Sequence, residues 1–108
     1  MAVHNKLVRD NMRHIILDAG RKPITKILNQ EDYITELRKK SNEELQEYLT
    51  AETNEEALEE LADLLEVMHA LAKIHDSSIE EVEKIRVKKV TKRGGFSDKV
   101  FLIEVEDD

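Results

Sequence analysis

The sequence contains no cysteine and no tryptophan, and it has only three glycines, one proline, two tyrosines and two phenylalanines among 108 residues. Without cysteine the chain can form neither a disulfide nor a thiolate metal site, which suits a reducing compartment. So few glycine, proline and aromatic residues disfavour a β-sandwich and favour helices. We therefore expect a helical protein in which any metal site uses oxygen or imidazole ligands.

Long apolar runs are missing as well. No stretch approaches the length of a membrane-spanning helix, and the first residues contain no apolar signal segment, so we expect a cytoplasmic protein with no membrane partner. A chain of this length supports one hydrophobic core, so residues 1–108 are expected to form a single domain.

The net charge of -7 argues against a nucleic-acid partner, because basic surfaces bind phosphate backbones. A small phosphorylated ligand is compatible with this charge, since a metal ion and a local basic patch can reverse the local field.

Apolar residues at helical spacing, together with capping and stop signals, predict four helices. The helices cover roughly residues 7–19, 31–50, 53–75 and 78–94. Their ends are indicated by Asn29, by capping boxes that begin at Thr53 and Ser78, and by stops at Gly20 and Gly94. Two segments rich in β-branched residues, 23–28 and 99–106, are expected to pair as strands. The predicted fold class is all-α, with four helices and a small two-stranded β ribbon.

The second helix places acidic residues on its packing side. At about 100° per residue, Glu44 falls within the arc of the apolar side chains and Glu47 lies at its edge, whereas Glu36 points outward. Most glutamates on helices are solvated and salt-bridged, and that interpretation fits Glu36. A carboxylate directed at a core is costly unless a cation meets it. Glu44 and Glu47 are therefore candidate ligands for a cation.

The third helix divides into three stripes, where a surface helix has two. The apolar stripe comprises Leu58, Leu61, Leu65, Met68 and Ala72, and the polar stripe comprises Glu55, Glu59, Glu66 and Lys73. The remaining stripe begins with Glu60 and Asp63 and becomes apolar at Val67 and Ile74. We therefore expect another helix or another subunit to cover this side, leaving Glu60 and Asp63 partly buried.

A short loop joins the two helices and makes them antiparallel neighbours, so the two acidic pairs can meet. Clustered carboxylates repel one another unless divalent cations neutralise them. Ligation by oxygen alone suits Mg²⁺ or Mn²⁺. The predicted metal ligands are Glu44, Glu47, Glu60 and Asp63.

The fourth helix carries the opposite charge on its apolar side, at Arg86, Lys89 and Arg93. One interpretation is snorkelling, in which long basic side chains cover apolar surface and pair with glutamates. If these residues face a metal-loaded acidic site, they bind phosphate oxygens instead. The residues alone leave both interpretations open.

The acidic residues also form a spaced motif. Glu43-Glu44-Leu-Gln-Glu47, a spacer of twelve residues, and Glu60-Leu-Ala-Asp63 resemble the E-E-x-x-E and E-x-x-D signature of MazG-like nucleotide pyrophosphohydrolases. Residues 5–10, 60–67 and 93–96 are similar to one small branch of this family. The resemblance covers nearly the whole chain and implies an all-α NTP pyrophosphatase fold, related to that of phosphoribosyl-ATP pyrophosphohydrolase.

The resemblance also implies an activity, namely Mg²⁺-dependent cleavage of a standard or modified nucleoside triphosphate between its α- and β-phosphates. The products are a nucleoside monophosphate and pyrophosphate. By position, the four acids become metal ligands, Lys89 and Arg93 match basic positions near the phosphates, and Glu43 would orient a ligand or accept a proton. The proton acceptor is one of the four acids or Glu43, and Arg86 joins the basic residues that stabilise the departing pyrophosphate.

Two alternatives remain at this point. The chain could be a phosphoribosyl-ATP pyrophosphohydrolase of histidine biosynthesis, which hydrolyses the same kind of bond. It could also be a non-catalytic helical interaction module whose acids only solvate its surface. Because the third helix is apolar on two of its sides, one chain cannot easily cover it. Each interpretation therefore includes a homodimer or a higher homo-oligomer.

Overall fold

The computed structural model describes residues 3–107. Within this range the chain forms four α-helices and no strand: α1 (Met12–Asp18), α2 (Gln30–Leu49), α3 (Asn54–Ile74) and α4 (Ile79–Arg93). The all-α class predicted from the sequence is therefore confirmed. None of these helices is both long enough and apolar enough to span a bilayer.

The three longer helices begin at the predicted capping residues. The side chains of Asn29, Thr53 and Ser78 each accept a hydrogen bond from the backbone N–H three residues later. These bonds satisfy N–H groups that have no partner inside the helix. The start of α3 adds a variation on the capping box, because the Glu56 carboxylate accepts the backbone N–H of Glu52 at 3.1 Å and not that of the cap.

Helix α1 is shorter than predicted, since it begins at Met12 and not near residue 7. The preceding segment is irregular: Asn5 has a φ of 45°, and the Arg9 side chain reaches across to Asp63 on α3. The predicted stop is confirmed, because the helix ends at Asp18 and Gly20 follows with a φ of 79°.

The predicted β ribbon is not confirmed. Segments 23–28 and 99–106 have no ladder of backbone hydrogen bonds, and Ile27, Val100 and Phe101 are largely exposed. Their β-branched and aromatic residues favour a pleated, half-buried surface, which the single chain does not provide for them. Lys99, with a φ of 61°, also departs from extended backbone where the second segment begins.

Helices α2 and α3 form an antiparallel hairpin through the loop at residues 50–53, and they pack along each other. Leu37 and Val67 lie equally far from residue 52 in sequence and are two of the few buried apolar side chains. Glu44 and Glu60 are likewise equally far from residue 52, closer to the loop. The hairpin register therefore sets these two carboxylates at the same level, on the sides where the helices face each other.

The single chain is extended and not compact. Its radius of gyration is 18.7 Å and its longest dimension is 67 Å, whereas a compact chain of this length has a radius of about 13 Å. Four apolar residues of α3, which we call the leucine stripe, remain exposed on the side away from the acids: Leu58, Leu61, Leu65 and Met68. Helix α4 contacts α3 but makes no packing contact with α2. A large apolar surface thus lies outside the α2–α3 core.

Candidate metal centre

Three of the four predicted ligands converge between α2 and α3. One carboxylate oxygen from each of Glu44, Glu47 and Glu60 lies within 4.8 Å of the other two. Glu44 and Glu47 are one helical turn apart on α2, and Glu60 faces them from α3 because of the hairpin register. The three residues pass from buried Glu44 through half-buried Glu60 to exposed Glu47, so the cluster opens to solvent on one side.

Glu44 is the most buried acid among residues 3–107, with only 5% of its surface exposed. Its Oε1 atom lies 3.3 Å from the Lys40 ammonium, one turn earlier on α2. Its Oε2 atom is buried and has no hydrogen-bond donor, and the same is true of Oε2 of Glu60. Unpaired carboxylate oxygens in such a place are costly, because burial removes water without supplying a substitute.

The pKa of Glu60 reflects this crowding. A protonated Glu60 can donate a hydrogen bond to Glu47, and this is the largest cause that raises the pKa of Glu60 from its ordinary value to about 7. Desolvation, the negative charge of Glu47, a hydrogen bond to Glu44 and the charge of Asp63 raise it further. The cluster thus holds more negative charge than its own surroundings compensate.

Asp63 lies one turn after Glu60 on the same side of α3, but it stands apart from the three clustered acids. Its Oδ1 atom accepts a hydrogen bond of 2.6 Å from Nη2 of Arg9. Both side chains are substantially exposed, 60% for Arg9 and 40% for Asp63. The fourth predicted ligand therefore lies beside the cluster, paired with the chain's own cation.

A hard divalent cation fits the donor set of this site. The oxygens are carboxylates, and carboxylates and water are the ligands that Mg²⁺ and Mn²⁺ prefer. Opposite oxygens around Mg²⁺ are about 4.2 Å apart, so a separation of at most 4.8 Å is close to what one ion requires. The two unpaired Oε2 atoms would gain a partner. Glu44, Glu47 and Glu60 can thus hold such an ion, and Asp63, which is paired with Arg9, lies outside this set.

The remaining predicted residues lie outside the cluster. Glu43 is about half exposed and lies 3.7 Å from Lys40. Arg86 donates to Glu83 on its own helix, with Nε 2.8 Å from Oε2, and this guanidinium holds the pKa of Glu83 below its ordinary value. Within residues 3–107, no ion pair joins Lys89 or Arg93 to an acid. In the single chain, the basic residues of α4 are not brought to the acidic cluster.

Two cations at the site were missed by sequence reasoning. Lys40 precedes Glu44 by four residues, and this spacing places the two side chains on the same face of a helix. That signal was available but is common in a chain so rich in charge. Arg9 belongs to a segment that resembles the family, yet its contact with Asp63 spans 54 residues and no local pattern indicates it.

Comparison with known proteins adds no relative: no protein-family model, no curated protein and no solved structure matches the chain.

Proposed function

We propose that this protein is a MazG-like nucleotide pyrophosphohydrolase. It binds Mg²⁺ or Mn²⁺ and hydrolyses a nucleoside triphosphate to a nucleoside monophosphate and pyrophosphate. The observation that carries the proposal is the convergence of Glu44, Glu47 and Glu60, which leaves two buried carboxylate oxygens without a partner. These acids belong to the spaced motif that resembles the family, so chemistry and motif support the same site.

The proposed reaction places a water oxygen on the α-phosphorus. The bond from this phosphorus to the oxygen that bridges the α- and β-phosphates breaks, pyrophosphate leaves, and a proton of the water passes to a carboxylate. A bound Mg²⁺ supplies charge neutralisation and water activation. The clustered acids hold the ion, and one of them, or Asp63 or Glu43, accepts the proton.

We also propose that the protein is a homodimer or a higher homo-oligomer. The chain exposes 10215 Å², whereas a folded monomer of this mass exposes about 6,200 Å². The leucine stripe and the two exposed apolar segments, 23–28 and 99–106, are surfaces that a second copy would cover. A dimer interface of ordinary size takes only about 800 Å² from each partner, so the exposed surface is sufficient.

In the proposed dimer, the basic residues of α4 of one subunit can lie near the acidic cluster of the other. Arg86, Lys89 and Arg93 lie on a helix that makes no packing contact with α2 of its own chain. We propose that they bind the phosphates across the subunit interface, where their charge stabilises the departing pyrophosphate. Arg86 would then exchange its present partner, Glu83, for a phosphate oxygen.

The decisive experiment is a substrate panel with identification of the products. The purified chain with Mg²⁺ is incubated with standard and modified NTPs and dNTPs and with phosphoribosyl-ATP. We expect pyrophosphate and a monophosphate, and in H₂¹⁸O the label should enter the monophosphate. Glu44→Gln should abolish the reaction, and Glu59→Gln, a matched change on the exposed polar stripe, should leave it intact.

Each other outcome contradicts part of the proposal. Release of orthophosphate would mean that a different bond is cleaved. Cleavage of phosphoribosyl-ATP alone would reassign the protein to the enzyme of histidine biosynthesis. If no substrate is cleaved and Mg²⁺ has no effect on the melting temperature, the chain is a helical interaction module.

A further inference from the structure

We propose that Arg9 is a further phosphate-binding residue of this site. Asp63 holds it beside the acidic cluster until a metal-bound triphosphate replaces Asp63 as its partner. The inference rests on the proposed function and deepens it. It assigns a role to the N-terminal segment, which the reaction described above does not use.

The geometry places Arg9 well for this role. Among residues 3–107 the Arg9 guanidinium makes a single hydrogen bond, from Nη2 to Asp63 Oδ1 at 2.6 Å, so within this part of the chain its other N–H groups have no partner. The side chain is 60% exposed, so solvent and a ligand can reach it. Arginine offers paired donors that match phosphate oxygens. The backbone carbonyl of Arg9 accepts the N–H of Met12 at the start of α1, and a movement confined to the Arg9 side chain leaves this bond intact.

The charges favour an exchange of partners. Asp63 is itself a predicted metal ligand, and a divalent ion bound there would repel the neighbouring guanidinium. A triphosphate brings several negative charges to the same place, so the guanidinium can then remain by turning from Asp63 to a phosphate oxygen. Arg9 should therefore oppose the binding of metal alone and favour the binding of metal together with triphosphate.

These opposite effects distinguish the proposal from an ordinary surface ion pair. Calorimetry on the full chain would measure the binding of Mn²⁺ alone and, separately, of inorganic tripolyphosphate at saturating Mg²⁺. Arg9→Gln should weaken tripolyphosphate binding about tenfold and should tighten the binding of Mn²⁺ alone. Arg9→Lys should be intermediate for tripolyphosphate, because lysine keeps the charge but loses the fork.

The matched control is Arg21→Gln, which removes the same charge from an exposed arginine that makes no ion pair within residues 3–107. It should behave as the wild type in both titrations. If Arg9→Gln matches this control, or if it loses affinity for Mn²⁺ as well, the role of Arg9 is overturned while the pyrophosphohydrolase proposal stands. A wild type that binds Mn²⁺ but not tripolyphosphate also overturns it. A wild type that binds no Mn²⁺ overturns both proposals.

Discussion

Glu44 and Glu60 face each other across the α2–α3 hairpin, and each has one carboxylate oxygen, Oε2, that is buried without a hydrogen-bond donor. Both helices present these acids to each other because the hairpin register sets them at the same level. A structure that served stability alone would gain from apolar residues at these two positions, since unpaired buried carboxylates are destabilising. Their presence is explained if a divalent cation completes the site.

Metal binding should therefore stabilise the fold. At about 100 times its dissociation constant, an ion that binds only the folded chain adds about 2.7 kcal/mol. For a domain of this size the melting temperature should rise by about 10 °C or more. Calorimetric melts with Mg²⁺ and with EDTA would measure the shift. Glu44→Gln should abolish it, whereas Glu59→Gln should retain it; an unchanged shift in Glu44→Gln would place the ion elsewhere.

The ion pair of Lys40 with Glu44 predicts that removal of the lysine destabilises the fold when no metal is bound. In EDTA, Lys40→Met should destabilise the fold by about 2 kcal/mol, because it leaves Glu44 buried without a cation. Mg²⁺ should recover most of this loss by supplying the missing charge. Lys39→Met is the matched control, since Lys39 is largely exposed and its partner Glu36 is much less buried than Glu44, and it should cost less than about 1 kcal/mol. Urea unfolding would compare the two variants, and equal losses would contradict the prediction.

The pH dependence of stability should carry the signature of Glu60. Its pKa is about 7 in the folded chain, and an unfolded glutamate titrates at about 4.3. Between these values the folded state binds the extra proton, so the contribution of Glu60 to stability is present at low pH and is lost as pH rises through 7.

The test is a series of melts in EDTA that compares the wild type with Glu60→Gln. The glutamine side chain does not titrate in this pH range. The melting temperature of the variant should rise relative to the wild type between pH 5 and pH 8. Glu59→Gln, the same change on the exposed polar stripe, is the control. A constant difference between Glu60→Gln and the wild type would mean that Glu60 titrates normally.

The leucine stripe predicts the state of association. By analytical ultracentrifugation the wild type should have at least twice its chain mass of 12.5 kDa. Leu65→Asp should shift the protein towards the monomer, because it places a charge in the apolar contact. Glu66→Lys changes the charge one position along, on the polar stripe, and should leave the assembly intact. A monomeric wild type would remove the proposed route by which α4 reaches the phosphates.

Sequence reasoning succeeded where the signal is local. Asn29, Thr53 and Ser78 cap their helices because each cap involves only one turn of chain. The helical period also placed Glu44 and Glu60 on packing sides, since the direction of a side chain depends on its own helix.

It failed where a second element decides the outcome. The period shows which side of α4 is apolar but not which helix covers it, so the sequence could not decide between the two interpretations of Arg86. The β propensity of residues 99–106 likewise indicates a suitable surface, not the presence of a partner strand. The contact of Arg9 with Asp63 depends on how a long stretch of chain folds back, and no spacing encodes it.

The polar stripe of α3 has a practical consequence. Glu59 and Glu66 are exposed on a side of the helix that holds neither the acidic cluster nor the leucine stripe. Since the chain contains no cysteine, a cysteine introduced at either position would be its single thiol. A spin label or fluorophore attached there could report the distance between copies, and its change on adding metal or nucleotide, without contacting the acidic cluster or the leucine stripe.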